Sequence, residues 1–305
     1  MALSTHPLIP PSNRPPSRVA IRKAEGYNGD LVELIHETLR EFQLPVAGKS
    51  VLLKPNLVQS DPNYVINTHP AVIAATRESF LRLGAARVIV GEGPGNERDT
   101  EGILEAIRLR DWLGRLDEGF VDLNVDDVRR VTLRTRASKL RQLYLPAAVL
   151  EADFLVSMPK MKTHHWAGVT LSLKNLFGVV PGSCYGWPKN ILHWAGIENS
   201  ILDLSTTVRP DFAIVDGIVA MEGNGPIQGT PKAAGVLVMG DDPVAVDATA
   251  ARVMGLVPER ISYLHKAGYV LGHLQEAKIQ QIGEEVTHVK TPFMVLEQFR
   301  RLVEH

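Results

Sequence analysis

Residues 51–95 read VLLKPNLVQSDPNYVINTHPAVIAATRESFLRLGAARVIVGEGPG, and this stretch decides the fold. Val51 to Leu53 and Val88 to Val90 are apolar runs of strand length, and between them Pro70 to Leu83 carries a helical pattern that stops before Gly84. Strand, helix and strand in that order make the unit from which parallel sheets are built. The same alternation recurs outward: Arg18 to Ile21, Phe154 to Ser157, Phe212 to Val215 and Val236 to Met239 are strand-like. Leu31 to Phe42 and Pro243 to Met254 are helical, the second entered through Asp242 as N-cap with proline at the first helical position. The expectation is an α/β fold: a largely parallel or mixed sheet flanked by helices, in one body or in two lobes with a cleft at the carboxyl ends of the strands.

The ends and one internal stretch read differently. Residues 1–16 hold five prolines and lack a basic region followed by an apolar one, so they read as a disordered tail rather than a signal peptide. Residues 17–305 read as a single α/β domain. Within it, the stretch from about 99 to 145 is rich in charge and poor in strand signals and is expected to be an inserted subdomain.

Composition excludes several functions. With 305 residues, 33 basic and 34 acidic side chains and a formal net charge of -1, the chain has no global electrostatic footprint for nucleic acid or an anionic membrane. An anion site must therefore be local. One cysteine, Cys184, cannot supply an internal disulfide, a four-thiolate iron–sulfur cluster or a zinc ribbon, and a reducing, cytoplasmic location fits it. No apolar run approaches the roughly 20 residues of a membrane span. Walker A and G-x-S-x-G sequences are absent, and Gly91-Glu92-Gly93-Pro94-Gly95 is a weak nucleotide signal because proline interrupts its amide array.

Ligands of open parallel sheets bind beyond the carboxyl ends of the strands. The residues just past the proposed strands are Lys54-Pro55-Asn56, Gly91 to Gly95, Pro159-Lys160-Met161-Lys162-Thr163-His164-His165, Asp216-Gly217 leading to Met221-Glu222-Gly223-Asn224-Gly225-Pro226, and Gly240-Asp241-Asp242-Pro243. Polar and titratable residues are concentrated there. If the chain stays extended after Pro159, then Lys160, Lys162 and His164 share one face. Lys174 and Asn175 lie inside an apolar stretch where a lysine is costly to bury alone. Helix capping accounts for Asp242, whereas Asp247 falls on the inner stripe of its helix and needs a lysine, backbone donors or a metal as partner. Trp166, Tyr185, Trp187 and Trp194 suit a pocket wall, a contact between copies of the chain, or core packing.

Several segments carry a resemblance: VLLKPNLV, THPAVIAA with GAARVIVGEGPG, ADFLVSMPKMKTH, TLSLKNLFG, and VDGIVAMEGNGPIQGTPK followed by GDDPVAVDATAARVMG. In this order, over residues from about 50 to 275, the chain resembles the prokaryotic family known as domain of unknown function 362. The resemblance implies that Lys54, Lys162, His164, Lys174, Asn175, Asp216, Glu222, Gly223 and Asp247 are motif positions. Some members of that family carry a ferredoxin-like cysteine module or a twin-arginine signal. Neither is present in this sequence, so no protein-ligated iron–sulfur cluster is expected.

These readings converge on a cytoplasmic enzyme for a small carboxylate- or phosphate-bearing metabolite, using acid–base, Schiff-base or metal-assisted chemistry. Lys162, His164, Lys174 and Glu222 are the expected catalytic residues, and Lys54, Asn56, Lys160, Asn175 and Gly223 the expected substrate contacts. A divalent metal would draw on His164, Asp216 and Glu222, with His193 as an alternative to His164. The competing readings are a non-catalytic anion- or metal-binding protein and a metal-dependent oxidoreductase, with self-association as the expected protein contact.

Overall fold

The central strands are apolar on both faces, which a sheet tolerates only when helices cover both sides. In the computed structural model, which describes residues 11–113 and 119–304, β1 (Ser17–Lys23), α1 (Leu31–Phe42), β2 (Ser50–Pro55), α2 (Pro70–Arg82) and β3 (Arg87–Glu92) open the fold. Val51 and Leu53 of β2 pack into the core layer that holds α1 and α2, while Leu52 packs into the opposite layer. This is the period-2 alternation of a strand buried on both faces.

Next come α3 (Thr100–Ala106), α4 (Leu109–Leu113), β4 (Phe120–Asp122), β5 (Val128–Thr132), β6 (Gln142–Pro146) and α5 (Ala147–Glu151). Only part of this charge-rich stretch stands apart. β4 pairs with β3 at the edge of the large sheet, whereas β5 and β6 form a separate antiparallel pair. The chain re-enters the centre through β7 (Phe154–Met158) and continues as β8 (Lys160–His164), β9 (Gly168–Thr170), α6 (Ser172–Asn175), α7 (Gly182–Tyr185), α8 (Asn190–Trp194) and α9 (Ile197–Val208). It closes with β10 (Phe212–Asn224), β11 (Gln228–Gly240), α10 (Pro243–Val253), α11 (Ser262–Val270), β12 (Ile279–Gly283) and α12 (Val286–Val289).

The large sheet has the order β12-β1-β11-β10-β7-β2-β3-β4, with β8 pairing on β10 and β9 on β8. From β10 to β4 every pairing is parallel, and β12 is parallel to β1. β11 is antiparallel to both neighbours, so the sheet is mixed. That orientation corrects one expectation. Gly240 pairs with Ala213 near the start of β10, so the Gly240–Pro243 loop follows on from the amino-terminal end of β10 and not from the carboxyl end of a parallel strand. Asp242 there caps α10, accepting from the Val244 and Ala245 N–H groups at 2.9 and 3.2 Å.

The start of the chain differs from a free tail where it is described. Pro11–Asn13 forms a 3-10 turn packed on α11, and His273 Nε2 lies 2.9 Å from the Pro15 carbonyl. The rest of the expected tail, residues 1–10, lies outside the described residues. No helix among the described residues is long and apolar enough to cross a membrane.

Candidate functional site

Pro159 is the pivot of the site. It ends β7, and the chain steps sideways so that β8 pairs further along β10, with Lys160 opposite Asp216 and Lys162 opposite Met221. Extended alternation then sends Met161 into the core and Lys160, Lys162 and His164 to the other face, as expected from the sequence. The face runs from a buried ion pair at Lys160 to a cavity at Lys162 and His164. That cavity, of about 230 Å³, is also lined by Asn56, Glu92, Thr170, Lys174, Asn175, Phe177, Lys189 and His193.

An ammonium has three N–H donors, and counting them separates structural lysines from available ones. Lys54, fully buried, donates to the Pro55 carbonyl at 2.7 Å, to Asn175 Oδ1 at 3.0 Å and to Glu92 Oε2. All three donors are committed. Lys160 is committed likewise, to Asp216 at 2.7 Å, Tyr27 Oη at 3.0 Å and the Val219 carbonyl at 3.1 Å. Lys162 donates to the Ile66 and Pro226 carbonyls at 2.8 and 3.4 Å, and Lys189 to those of Gly93 and Gly178. Each keeps one donor. Lys174 is half-buried, and its Nζ has no hydrogen-bond or ion-pair partner among the described residues; it sits 3.9 Å from the centre of the Phe177 ring.

Electrostatics follow from that arrangement. Burial pulls Lys174 down to about 7, helped by the positive charge of Lys54. Burial also lowers Lys189 to about 7, against the attraction of Glu92, and holds Lys162 well below the ordinary lysine value. Among the described residues Glu92 is the one carboxylate lining the cavity, and it serves Lys54. Three lysines therefore face the cavity without a carboxylate of their own. The Lys54–Glu92 pair beside them depends on glycine: a Cβ at Gly178 would stand 1.9 Å from Glu92 Oε1 and 2.4 Å from Lys54 Nζ.

His164 is fixed in one tautomer. Its Nδ1 accepts from the Trp166 and Ala167 N–H groups at 3.0 and 3.2 Å, which leaves the ring proton on Nε2. Burial, and then Lys174, hold the ring well below the usual histidine value, so it is neutral and offers an N–H to the cavity. Asn56 Oδ1, Thr170 Oγ1 and His193 Nδ1 are buried without hydrogen-bond partners among the described residues and line the same space. Unpaired buried polar atoms are costly unless something meets them.

The carboxylate that organises the floor comes from another element. Asp247, on α10, accepts from the Ser172 and Leu173 N–H groups at 2.7 and 3.0 Å and from the Ser172 hydroxyl at 2.5 Å. It thereby brackets the start of the single-turn helix α6, which carries Lys174 and Asn175. Of the partners the sequence allowed for Asp247, backbone donors are the ones present, with a hydroxyl beside them.

Several expected members do not join this cavity. Glu222 accepts from the Met294 N–H at 2.9 Å and pairs with Lys232 at 3.3 Å, and Gly223 donates to the Met294 carbonyl at 2.9 Å. Both hold the C-terminal segment on the hairpin of β10 and β11, because the antiparallel extension carries them past the cavity. Asp216 accepts from Lys160, from Tyr27 and from the His69 N–H at 3.0 Å, which ties down the entry to α2. Lys160 therefore belongs to this buried network. The expected metal set of His164, Asp216 and Glu222 is dispersed, and no group of three or more His, Cys, Asp or Glu among the described residues is placed to hold a metal ion.

Glu92, Phe177, Lys189 and His193 were not among the expected site residues. Glu92 stands in a weak glycine-rich loop, His193 enters the sequence reading only as an alternative metal ligand, and Lys189 lies in GWPKNILHW, where the tryptophans are the conspicuous residues. Their approach depends on where α8 packs, which local pattern does not encode.

Comparison with known proteins places these residues in a wider group. The model of the family described as domain of unknown function (DUF362) matches residues 51–252. The thylakoid-associated protein sll1697 of Synechocystis sp. is 29% identical over 228 residues, covering 70% of this chain and 65% of that protein. Among solved structures, the lactate racemase apoprotein of Thermoanaerobacterium thermosaccharolyticum overlaps 70% of this chain and 52% of its own, at 16% identity and a TM-score of 0.40. A Thermotoga maritima protein overlaps 70% and 57%, at 14% identity and a TM-score of 0.37. The chain thus spans less than two thirds of the length of each.

Proposed function

The chain belongs to the family of domain of unknown function DUF362, and we propose that its lysine-lined cavity is the active site of an enzyme for a small carboxylate- or phosphate-bearing metabolite. The observation that carries this reading is the donor count. Lys162, Lys174 and Lys189 face one cavity with uncommitted N–H groups, and the carboxylate beside them is taken by Lys54. An anion entering the cavity would meet those donors and raise the proton affinity of the lysines that burial has lowered.

The division of labour follows from what each group can still do. Lys162 and Lys189 are anchored to carbonyls and orient the anion. His164, neutral with its proton on Nε2, donates to a developing oxyanion and is not poised to accept a proton there. Lys174, unpaired and near-neutral in its titration, is the group free to take a proton or attack a carbonyl. Lys54, Glu92 and Asn175 form the support that fixes the cavity wall. Asn56 and Thr170 are contacts for polar substituents of the ligand. Residence in the reducing cytoplasm suits the single thiol, and cell fractionation tests that part of the proposal.

Incubation of the protein with a metabolite extract, followed by mass spectrometry, tests the reading. The proposal expects an anionic compound to be consumed and a product to accumulate with the unaltered chain and not with Lys174→Met. Tight retention of an anion without conversion would instead indicate a binding protein, and the absence of both retention and conversion would refute the proposal.

A further inference from the structure

Among the cavity lysines, one is placed for covalent chemistry. Lys54 is tied by three acceptors, and Lys162 and Lys189 by two each, so bond formation at any of their nitrogens would break contacts that hold the wall. Lys174 Nζ has no such contact to lose. Its base is held firmly, since Asp247 fixes the first turn of α6 through two backbone N–H groups and a hydroxyl. The result is a free amine on a rigid support, backed by an aromatic ring and flanked by two anchored lysines that can grip an anion.

Resting on the anion-site reading above, we infer that Lys174 is a nucleophile that forms an imine with a carbonyl compound carrying a carboxylate or phosphate, of which a 2-oxo acid is the simplest class. The Nζ lone pair adds to the carbonyl carbon, and the displaced C=O electron pair goes to oxygen. That oxygen is met by the Nε2–H of His164 and takes a proton from solvent. The nitrogen gives up a proton, the carbinolamine hydroxyl is protonated and leaves as water, and a protonated C=N bond remains. In sum, amine, carbonyl and one proton give iminium and water, with no oxidant or reductant consumed. Lys162 and Lys189 hold the anionic end, and the unpaired Asn56 Oδ1, Thr170 Oγ1 and His193 Nδ1 are available to the remaining polar atoms of the substrate and to the departing water.

Reductive trapping tests this. The full chain is incubated with glyoxylate, pyruvate or dihydroxyacetone phosphate together with cyanoborohydride, which reduces any imine to a stable secondary amine, and the modified residue is located by peptide mass spectrometry. The inference expects adduct formation at Lys174, with at least one of the three probes, about tenfold or more faster than at any other lysine. Lys174→Arg, which keeps a basic side chain but cannot form the imine, and Lys174→Met should both lose the fast adduct; melting curves of both variants establish that each is folded. Adducts spread over surface lysines at the same rate in the unaltered protein and in Lys174→Arg would overturn the covalent role. If the probes raise the melting temperature in that case, the anion site stands and only the imine fails. If neither the probes nor inorganic phosphate raise it, the anion site fails as well.

Discussion

At the scale of single residues, what matters is which groups have partners. Lys160 is buried and Lys174 half-buried in the same region, yet among the described residues one has three acceptors and the other none. Reading the sequence found Lys162, His164 and Lys174 because strand alternation and an apolar neighbourhood make them conspicuous. It also promoted Lys160, Asp216 and Glu222, since the presence of a titratable side chain past a strand does not reveal whether a partner is waiting. The groups facing Lys174 are Lys54, Lys162, Lys189, His164, His193 and Glu92, and all but Glu92 are cationic or neutral.

Two outcomes follow from that setting. The folded value of Lys174, about 7, lies below the ordinary lysine value of 10.5. Between them the unfolded chain binds more protons, so stability rises with pH across that window, and the penalty is fully present below about 7. Lys174→Met should therefore melt higher than the unaltered protein at pH 7, by about 2 °C or more, and should show a flatter dependence of melting temperature on pH above 7. Anion binding favours the protonated lysines. Titration calorimetry with inorganic phosphate should accordingly show proton uptake on binding and an affinity that falls as pH rises above about 7; an affinity that rises there would contradict the assignment.

At the scale of elements, the site is assembled by two devices: a sideways step and a bracket. The step at Pro159 lets β8 leave the line of β7 while remaining parallel to β10, which presents three polar side chains along one face. The bracket is Asp247, which reaches from α10 to the start of α6. Asp247→Ala would leave two buried backbone donors without partners and should cost about 2–4 kcal/mol in unfolding free energy. Because α6 carries Lys174, it should also weaken phosphate binding, whereas a substitution at the exposed Trp194 should change neither. Denaturant unfolding and calorimetry of both variants check this. The six apolar runs and three long helices were legible from local periodicity. The direction of β11 was not, because an apolar run reads the same in either orientation; the Asp242 loop therefore lies beside the start of β10 and not past the carboxyl end of a parallel strand.

At the scale of the whole molecule, a nearly balanced charge, 33 basic against 34 acidic residues, conceals a local imbalance. Surface pairs such as Arg82 with Glu78 and Arg252 with Glu259 account for charge that does nothing at the cavity. Inside, three lysines face a space whose single carboxylate among the described residues is already taken. Composition could not reveal this, since Lys189 comes from a segment 135 residues after Lys54 and reaches the cavity through the packing of the elements between β9 and α9. The most direct test of the account is a crystal structure of the protein soaked in selenate, whose anomalous signal locates an anion without assuming a substrate. The account predicts a selenate within hydrogen-bond reach of Lys162, Lys174 and Lys189, lost in Lys162→Met/Lys174→Met; an empty cavity with selenate bound only elsewhere would contradict it.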